Sequence, residues 1–289
     1  MSCVALADRA LLRVSGPDAV AFLNALVSND VARAVPGASG PGQAVYAALL
    51  TAQGRFLHDF LIASDGEALL LDVAAGRRAD LKRRLTLYKL RSKVDIAELD
   101  WQGFALFGDA GAPHIPEGGL PFADPRLPAL GWRLWLPAGA PPPQALSDPA
   151  AYEAHRLHLG VPDGARDIEI EKGLLLENHF EALNGVDFKK GCYIGQELTA
   201  RTKYRGLVKK QVHRVLADVA LPPPGTPVGL DGQEAGVMLS GLGAEGLALL
   251  RLDAVAKAQA EGKKLEAAGI ALTPQRPDYA GPAPAPKDG

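Results

Sequence analysis

From Gln211 onward the pattern of this chain changes, and that change limits the possible fold more than any other feature. Upstream, strand-like runs alternate with helical spacing. Downstream, short apolar runs at 212–216, 228–230, 234–239 and 248–252 sit between Gly and Pro turns. Strands this short cannot bury a face alone, so they predict a small β-barrel or sandwich, folded as a separate C-terminal domain over 211–273. After Thr273 a Pro-rich stretch and an Ala-Pro run predict a disordered tail over 274–289.

The upstream part reads as an α+β unit over 1–136. Leu11 to Val14 is a strand, and Ser15-Gly16-Pro17-Asp18 opens a helix with Pro near its start and an acid in its first turn. Val20, Leu23, Leu26 and Val27 follow at helical spacing as its buried stripe, and Asn29-Asp30 ends it. Two apolar runs, 44–51 and 56–62, joined by Ala52-Gln53-Gly54-Arg55, predict a hairpin. A strand at 68–73 precedes a helix over 76–90 with Leu81, Leu85 and Tyr88 inside and a dense set of Arg and Lys outside. Further strands are predicted at 94–99, 104–107 and 132–136. The Pro- and Ala-rich 137–150 has no periodicity and reads as a linker or loop; 151–210 opens with a short helix over 152–159.

Bulk properties exclude more than they select. With 47% hydrophobic and 22% charged residues, the chain has the composition of a soluble globular protein. A net charge of -2 offers no global field for nucleic acid, so direct nucleic-acid binding is not expected. No stretch approaches the roughly 18 uninterrupted apolar residues of a membrane span. The start, Met-Ser-Cys-Val-Ala-Leu-Ala-Asp-Arg, lacks a basic region followed by an apolar run, and is too short and acidic for a transit peptide. The chain therefore reads as cytoplasmic and bacterial. Two cysteines, Cys3 and Cys192, can neither build a disulfide framework nor supply the thiolates of a resident iron-sulfur cluster. No glycine-rich phosphate loop or dinucleotide fingerprint is present.

Cys192 is the foremost chemical candidate. It lies in Lys189-Lys190-Gly191-Cys192-Tyr193-Ile194-Gly195-Gln196-Glu197, where flanking cations favour a thiolate and two glycines let backbone turn sharply. By composition alone it reads equally as a small buried hydrophobe in a turn. Asp59, among Leu57, Phe60 and Leu61, needs a partner or ligand unless its strand faces solvent. His155 and His158, at i and i+3, would need further ligands to hold a metal; for them, and for His58 and His179, a structural role is the stronger reading. Lys203, Tyr204, Arg205, Lys209 and Lys210 form a basic run that is either a solvated face or an anion-attracting one.

The string from Lys190 to Glu197 resembles nearly the whole signature of the YgfZ family, folate-binding proteins of iron-sulfur cluster assembly on a glycine-cleavage T-protein scaffold. The resemblance extends to the Asn29-Asp30 helix end, the hairpin Thr51 to Asp59, the segment His155 to Pro162 and the stretch after Arg201, together spanning about Leu11 to Leu252. It implies α+β lobes of T-protein (aminomethyltransferase) type around a central cavity, followed by a C-terminal β-barrel. It implies tetrahydrofolate or a derivative in that cavity, with Asp59, Glu177, Lys190, Tyr193, Gln196, Glu197 and Arg205 as contacts. It also implies Cys192 as a functional thiol or transient metal ligand. Partners would be iron-sulfur client enzymes or assembly proteins, tRNA-modifying radical enzymes among them. One departure stands out: where T-proteins carry a pterin-binding Glu, this chain has His158 in Arg156-Leu157-His158-Leu159-Gly160, and an imidazole is no two-pronged acceptor. Glu177 is the candidate substitute. A tetrahydrofolate-dependent aminomethyltransferase or demethylase, with Asp59 acting at the folate nitrogen, and a ligand-free interaction module are the alternative readings.

Overall fold

The structure, a computed structural model, describes residues 1–37, 42–108 and 113–282. They form two compact units. The first comprises 1–52, 57–152 and 183–196; the second takes 53–56, 153–182 and the chain from 197 on.

The first unit holds β1 (Ser2–Ala5), β2 (Arg9–Ser15), α1 (Ala19–Leu26), β3 (Val45–Leu50), β4 (Phe56–Ser64), β5 (Ala68–Ala74), α2 (Arg78–Lys89), β6 (Asp95–Leu99), β7 (Trp101–Phe107), β8 (Leu120–Ala123) and β9 (Trp132–Pro137). One sheet has the order β3-β4-β5-β2-β6 and a second the order β1-β7-β9-β8. The predicted hairpin is β3–β4. Every residue of β3 and all but the last of β4 are buried, so neither strand alternates; β3 is a continuous apolar run, and β4 is one interrupted by the buried His58 and Asp59. α1 packs Phe22, Leu23 and Leu26 into the core together with Leu12, Leu49 and Phe60.

Three local expectations are corrected. Val20 is only partly buried, Phe22 taking its place on the inner face of α1. No acid lies in the first turn of α1; Asp18, at its N-cap, instead accepts the Lys93 N–H at 2.6 Å. Tyr88 is 39% exposed, because α2 turns only Leu81 and Leu85 inward before it ends. The sequence reading also missed β1 and β8. Both are four-residue edge strands, and β8 contains Pro121, tolerated where no ladder N–H is needed.

The core of the first unit includes charge. Arg126 donates to Asp124 through Nε (2.9 Å) and Nη2 (2.7 Å), Arg133 lies 3.5 Å from Asp124 and donates to the Tyr152 hydroxyl at 2.8 Å, and Arg9 holds Asp72 at 2.6 Å. The Arg126 guanidinium holds the buried Asp124 carboxyl below the usual carboxylate range, against the opposing effect of burial.

The second unit contains most of α3 (Pro149–His158), then α4 (Gly164–Asp167), α5 (Gln196–Arg205), β10 (Lys210–Leu216), β11 (Pro227–Leu230), β12 (Gln233–Leu242), β13 (Glu245–Arg251), α6 (Leu252–Glu261), β14 (Leu265–Ala267) and β15 (Ile270–Gln275). The strands close into a barrel in the order β10-β13-β12-β11-β14-β15. Two features depart from the sequence reading. α6 interrupts the strands, burying Val255 and Ala258 at i and i+3 and stopping at Gly262, whose N–H caps the carbonyls of Ala258 and Gln259. The ordered chain also passes 274: β15 reaches Gln275, Arg276 donates to Gln211 at 2.6 Å, and the Tyr279 hydroxyl donates to the Gly160 carbonyl at 2.7 Å. Only the end of the expected tail, 283–289, lies outside the described residues. Among the described residues no helix is long and apolar enough to cross a membrane.

Candidate functional site

Cys192 and Cys3 have opposite surroundings. Cys3 is fully buried on β1, and burial pushes its thiol pKa up. Cys192 is exposed, on the loop that leads into α5 (Gln196–Arg205). The buried-hydrophobe reading of Cys192 is therefore set aside.

The loop that presents this thiol is pinned at several points. Asp187 receives the N–H groups of Lys189 (2.7 Å) and Lys190 (3.2 Å), closing a turn ahead of the cysteine. Gln196 accepts the Tyr193 N–H at 3.0 Å behind it. The Asp187 N–H reaches the Ser28 carbonyl at 3.0 Å. Gly195 has φ 79°, a left-handed turn that a side chain would strain, and it ends the loop before α5 begins.

Lys190 has a different task from the one expected. Its ammonium donates to the carbonyls of Asn24 (2.7 Å), Val27 (2.7 Å) and Asn29 (2.9 Å), the end of α1 and the residues that follow it. Helix ends leave carbonyls without intrahelical partners, and a cation there satisfies both the hydrogen bonds and the dipole. All three donors of Lys190 are engaged, so it fixes the loop rather than offering itself to an anionic ligand. Burial lowers its pKa to about 8, with Asp30 and Asp187 opposing. Its Nζ also lies 5.2 Å from the centre of the Tyr193 ring.

Asp59 belongs to the same unit and connects to this loop. It is buried on β4, and Tyr46 on β3 donates its hydroxyl to it at 3.0 Å. The Tyr46 carbonyl accepts from Asn29 Nδ2 at 2.8 Å, and the Asn29 carbonyl accepts from Lys190. A continuous hydrogen-bonded path thus runs from Asp59 through Tyr46, Asn29 and Lys190 to the cysteine loop. Asn29 and Tyr46 also border a cavity of about 640 Å³, whose other walls include Phe122, Asp124, Trp132 and Asn184. Tyr46 was not singled out from sequence, and Asn29 only as part of a helix-ending pair. Its signal was an amide directly after an apolar helix end, where the fold gives it 2% exposure.

Of the remaining candidates, all but His58 lie in the second unit. Glu177 is half-buried in the short 3-10 turn Leu175–Asn178, and burial raises its pKa while Lys210 and Arg55 oppose the shift. Glu197 and Arg205, at the two ends of α5, are exposed. His158 is largely exposed and meets Arg214 at 3.1 Å, while the neighbouring Arg156 is buried between Glu153, Asp167 and Ser240. His58 bonds Asp80 at 2.9 Å and His179 bonds the Val212 carbonyl at 2.8 Å; burial lowers both pKa values to about 4. Among the described residues no three His, Cys, Asp or Glu side chains gather to hold a metal ion.

Known proteins match both parts of this arrangement. Residues 209–282 match the family described as CAF17, C-terminal beta-barrel domain. The structure resembles the glycine cleavage system aminomethyltransferase T from Bartonella henselae with a TM-score of 0.76 over 96% of this chain and 86% of that one, at 16% identity, which establishes a shared fold. Human iron-sulfur cluster assembly factor IBA57, mitochondrial, is 35% identical, covering 96% of this chain and 85% of that protein. The mouse protein of the same name is 34% identical with the same coverage, and a Pyricularia oryzae homolog is 35% identical over 86% of this chain and 71% of its own. These relatives overturn the reading of a cytoplasmic, bacterial chain, since all three are mitochondrial factors of animals and a fungus. With alignment along nearly its whole length at this identity, the chain belongs to the family of the iron-sulfur cluster assembly factor IBA57.

Proposed function

We propose that this protein is an accessory factor of iron-sulfur cluster assembly whose working group is the Cys192 thiol. The observation that carries the reading is the contrast just described: one cysteine is sealed in the core, and the other is exposed on a loop anchored by three hydrogen bonds from Lys190 to the end of α1 and the residues after it. The relatives' role in cluster assembly supports it. A single thiolate cannot hold a cluster alone. Cys192 would lose its proton to become one ligand of a cluster otherwise held by an assembly or client protein, and would release it on transfer.

Tetrahydrofolate or a derivative is the second component of the proposal. A pterin needs a flat apolar wall and polar groups at its edge. The cavity of about 640 Å³ provides Phe122, Tyr46 and Trp132 as wall, with Asn184 and Asp124 as polar groups. These residues fit the group, and Asp59, bonded to Tyr46, fixes that wall from behind. When bound, the folate would supply a one-carbon carrier. This chain's own residues bind it, orient it and couple its cavity to the cysteine loop through Asn29.

Cells lacking the endogenous factor, complemented with variants and assayed for a [4Fe-4S] enzyme under oxidative load, test the reading. Wild type restores activity, and Cys192→Ala, which folds normally by thermal melt, does not. Restoration by Cys192→Ala sinks the thiol role. Titration with tetrahydrofolate, followed by tryptophan fluorescence, tests the cavity. Weakening of binding by Trp132→Ala is expected, and no binding at millimolar folate removes the folate from the proposal.

A further inference from the structure

The C-terminal end of α2 carries a surface that neither the cysteine loop nor the cavity uses. Between 77 and 93 the chain places eight Lys or Arg against one Asp, in a protein whose net charge is -2. Part of this charge is answered locally. Arg83 and Arg84 meet Asp80, and Arg78 and Lys82 meet Glu98. Lys89, Arg91 and Lys93 have no ion-pair partner among the described residues.

In the midst of these cations stand three apolar side chains. Leu87 is 64% exposed, Tyr88 39% and Leu90 88%. Arg83 and Leu87, at i and i+4, share an outward face of α2, with the exposed Leu90 directly after its end, while Leu81 and Leu85 occupy the inward face. A cluster of exposed apolar side chains rimmed by charge marks an interaction site.

Leu90 is also held in an unfavourable backbone conformation, φ 44°, ψ −108°, which a residue with a side chain adopts only when its surroundings enforce it. They do so here. Asp18 grips the Lys93 N–H at 2.6 Å, and the Ser92 N–H bonds the Lys89 carbonyl at 2.8 Å. Gly16 admits the Lys93 carbonyl where a Cβ would lie 2.3 Å from it. Leu90, Arg91 and Ser92 then line an open depression of about 760 Å³ with Asp18. Glycine would be easier at 90, so the leucine is kept in place at a cost to stability.

We propose that this surface, centred on Leu87 and Leu90 and collared by Arg83, Lys89, Arg91 and Lys93, docks a protein partner presenting an apolar contact bordered by Asp and Glu. Charge complementarity selects the partner's sign, and desolvated leucines supply the attraction. Single-stranded nucleic acid would require aromatic stacking platforms, and Tyr88 alone is aromatic here. A membrane surface would require a long apolar helix face, whereas the inner face of α2 is committed to the core. The inference is independent of the chemistry of Cys192.

The test uses the whole protein and a short helical peptide with Leu at i, i+3 and i+4 and Glu elsewhere. The same peptide with Lys for Glu, anionic phosphatidylglycerol vesicles and bulk tRNA serve as competing probes. The acidic peptide is expected to bind, with affinity falling as salt rises and weakening about tenfold for Arg91→Glu and for Leu90→Gly. Leu90→Gly also separates docking from folding, because it relieves the strained backbone and raises the melting temperature while weakening binding. Tighter binding of the Lys peptide, the vesicles or tRNA overturns the proposal. So does failure of the acidic peptide to bind at millimolar concentration, or unchanged binding by Leu90→Gly.

Discussion

Lys190 carries as much of the site's meaning as the cysteine two residues later. Its ammonium satisfies three carbonyls at the end of α1 and in the residues just after it, so replacing it removes the donors and leaves acceptors partly buried. Lys190→Met is expected to destabilise the protein by roughly 1–3 kcal/mol in chemical denaturation, the range for unsatisfied buried groups. It should also lower complementation by freeing the cysteine loop, which hydrogen exchange at 188–195 would reveal. Cys192→Ala should leave both exchange and stability unchanged while abolishing complementation. The two variants therefore fail for distinguishable reasons. The motif string was legible in the sequence; that its lysine braces a helix end was not, because Asn24, Val27 and Asn29 lie more than 150 residues away in the chain.

At the scale of elements, edges and ends were the hard part to read. The β3–β4 hairpin and the barrel strands β10 to β13 announce themselves through apolar runs and turn residues, whereas β14 and β15 do not. β1, β8 and β14 are three or four residues long, too short to show a period. Close approach between elements is equally hidden. Gly131 begins the turn into β9 at φ 78°, and a Cβ there would lie 2.1 Å from the Leu106 carbonyl on β7. Gly131→Ala is predicted to cost about 2 kcal/mol or more, whereas Gly76→Ala, with nothing within 4 Å, should be near neutral; urea midpoints with unchanged slopes would check both. Tyr88 shows the complementary case. Helical spacing pointed it inward, but α2 terminates at Lys89, so its last turn has no core to cover.

For the whole molecule, buried imidazoles set a pH limit. His58 and His179 have folded-state pKa values of about 4, both lowered first by burial, against 6.5 when free. The unfolded chain therefore takes up protons before the folded one. Stability is fully present above about pH 6.5 and is lost as the pH falls toward 4. The loss is on the order of 3 kcal/mol per imidazole. Denaturation at pH 7, 5.5 and 4.5 should show it, and His179→Gln should flatten the pH dependence. Length, composition, strand spacing and the Lys190–Glu197 string pointed by themselves to an α+β chain with a small all-β domain at its end and to Cys192 as the chemical candidate, because periodicity and local turn chemistry are written residue by residue. Only the tertiary structure decided that Cys192 is exposed and Cys3 sealed, that Asp59 reaches the cysteine loop through Tyr46, Asn29 and Lys190, and that Leu90 stands in solvent. Exposure and hydrogen bonding depend on residues brought together from distant parts of the chain, and no local pattern encodes which of them will meet.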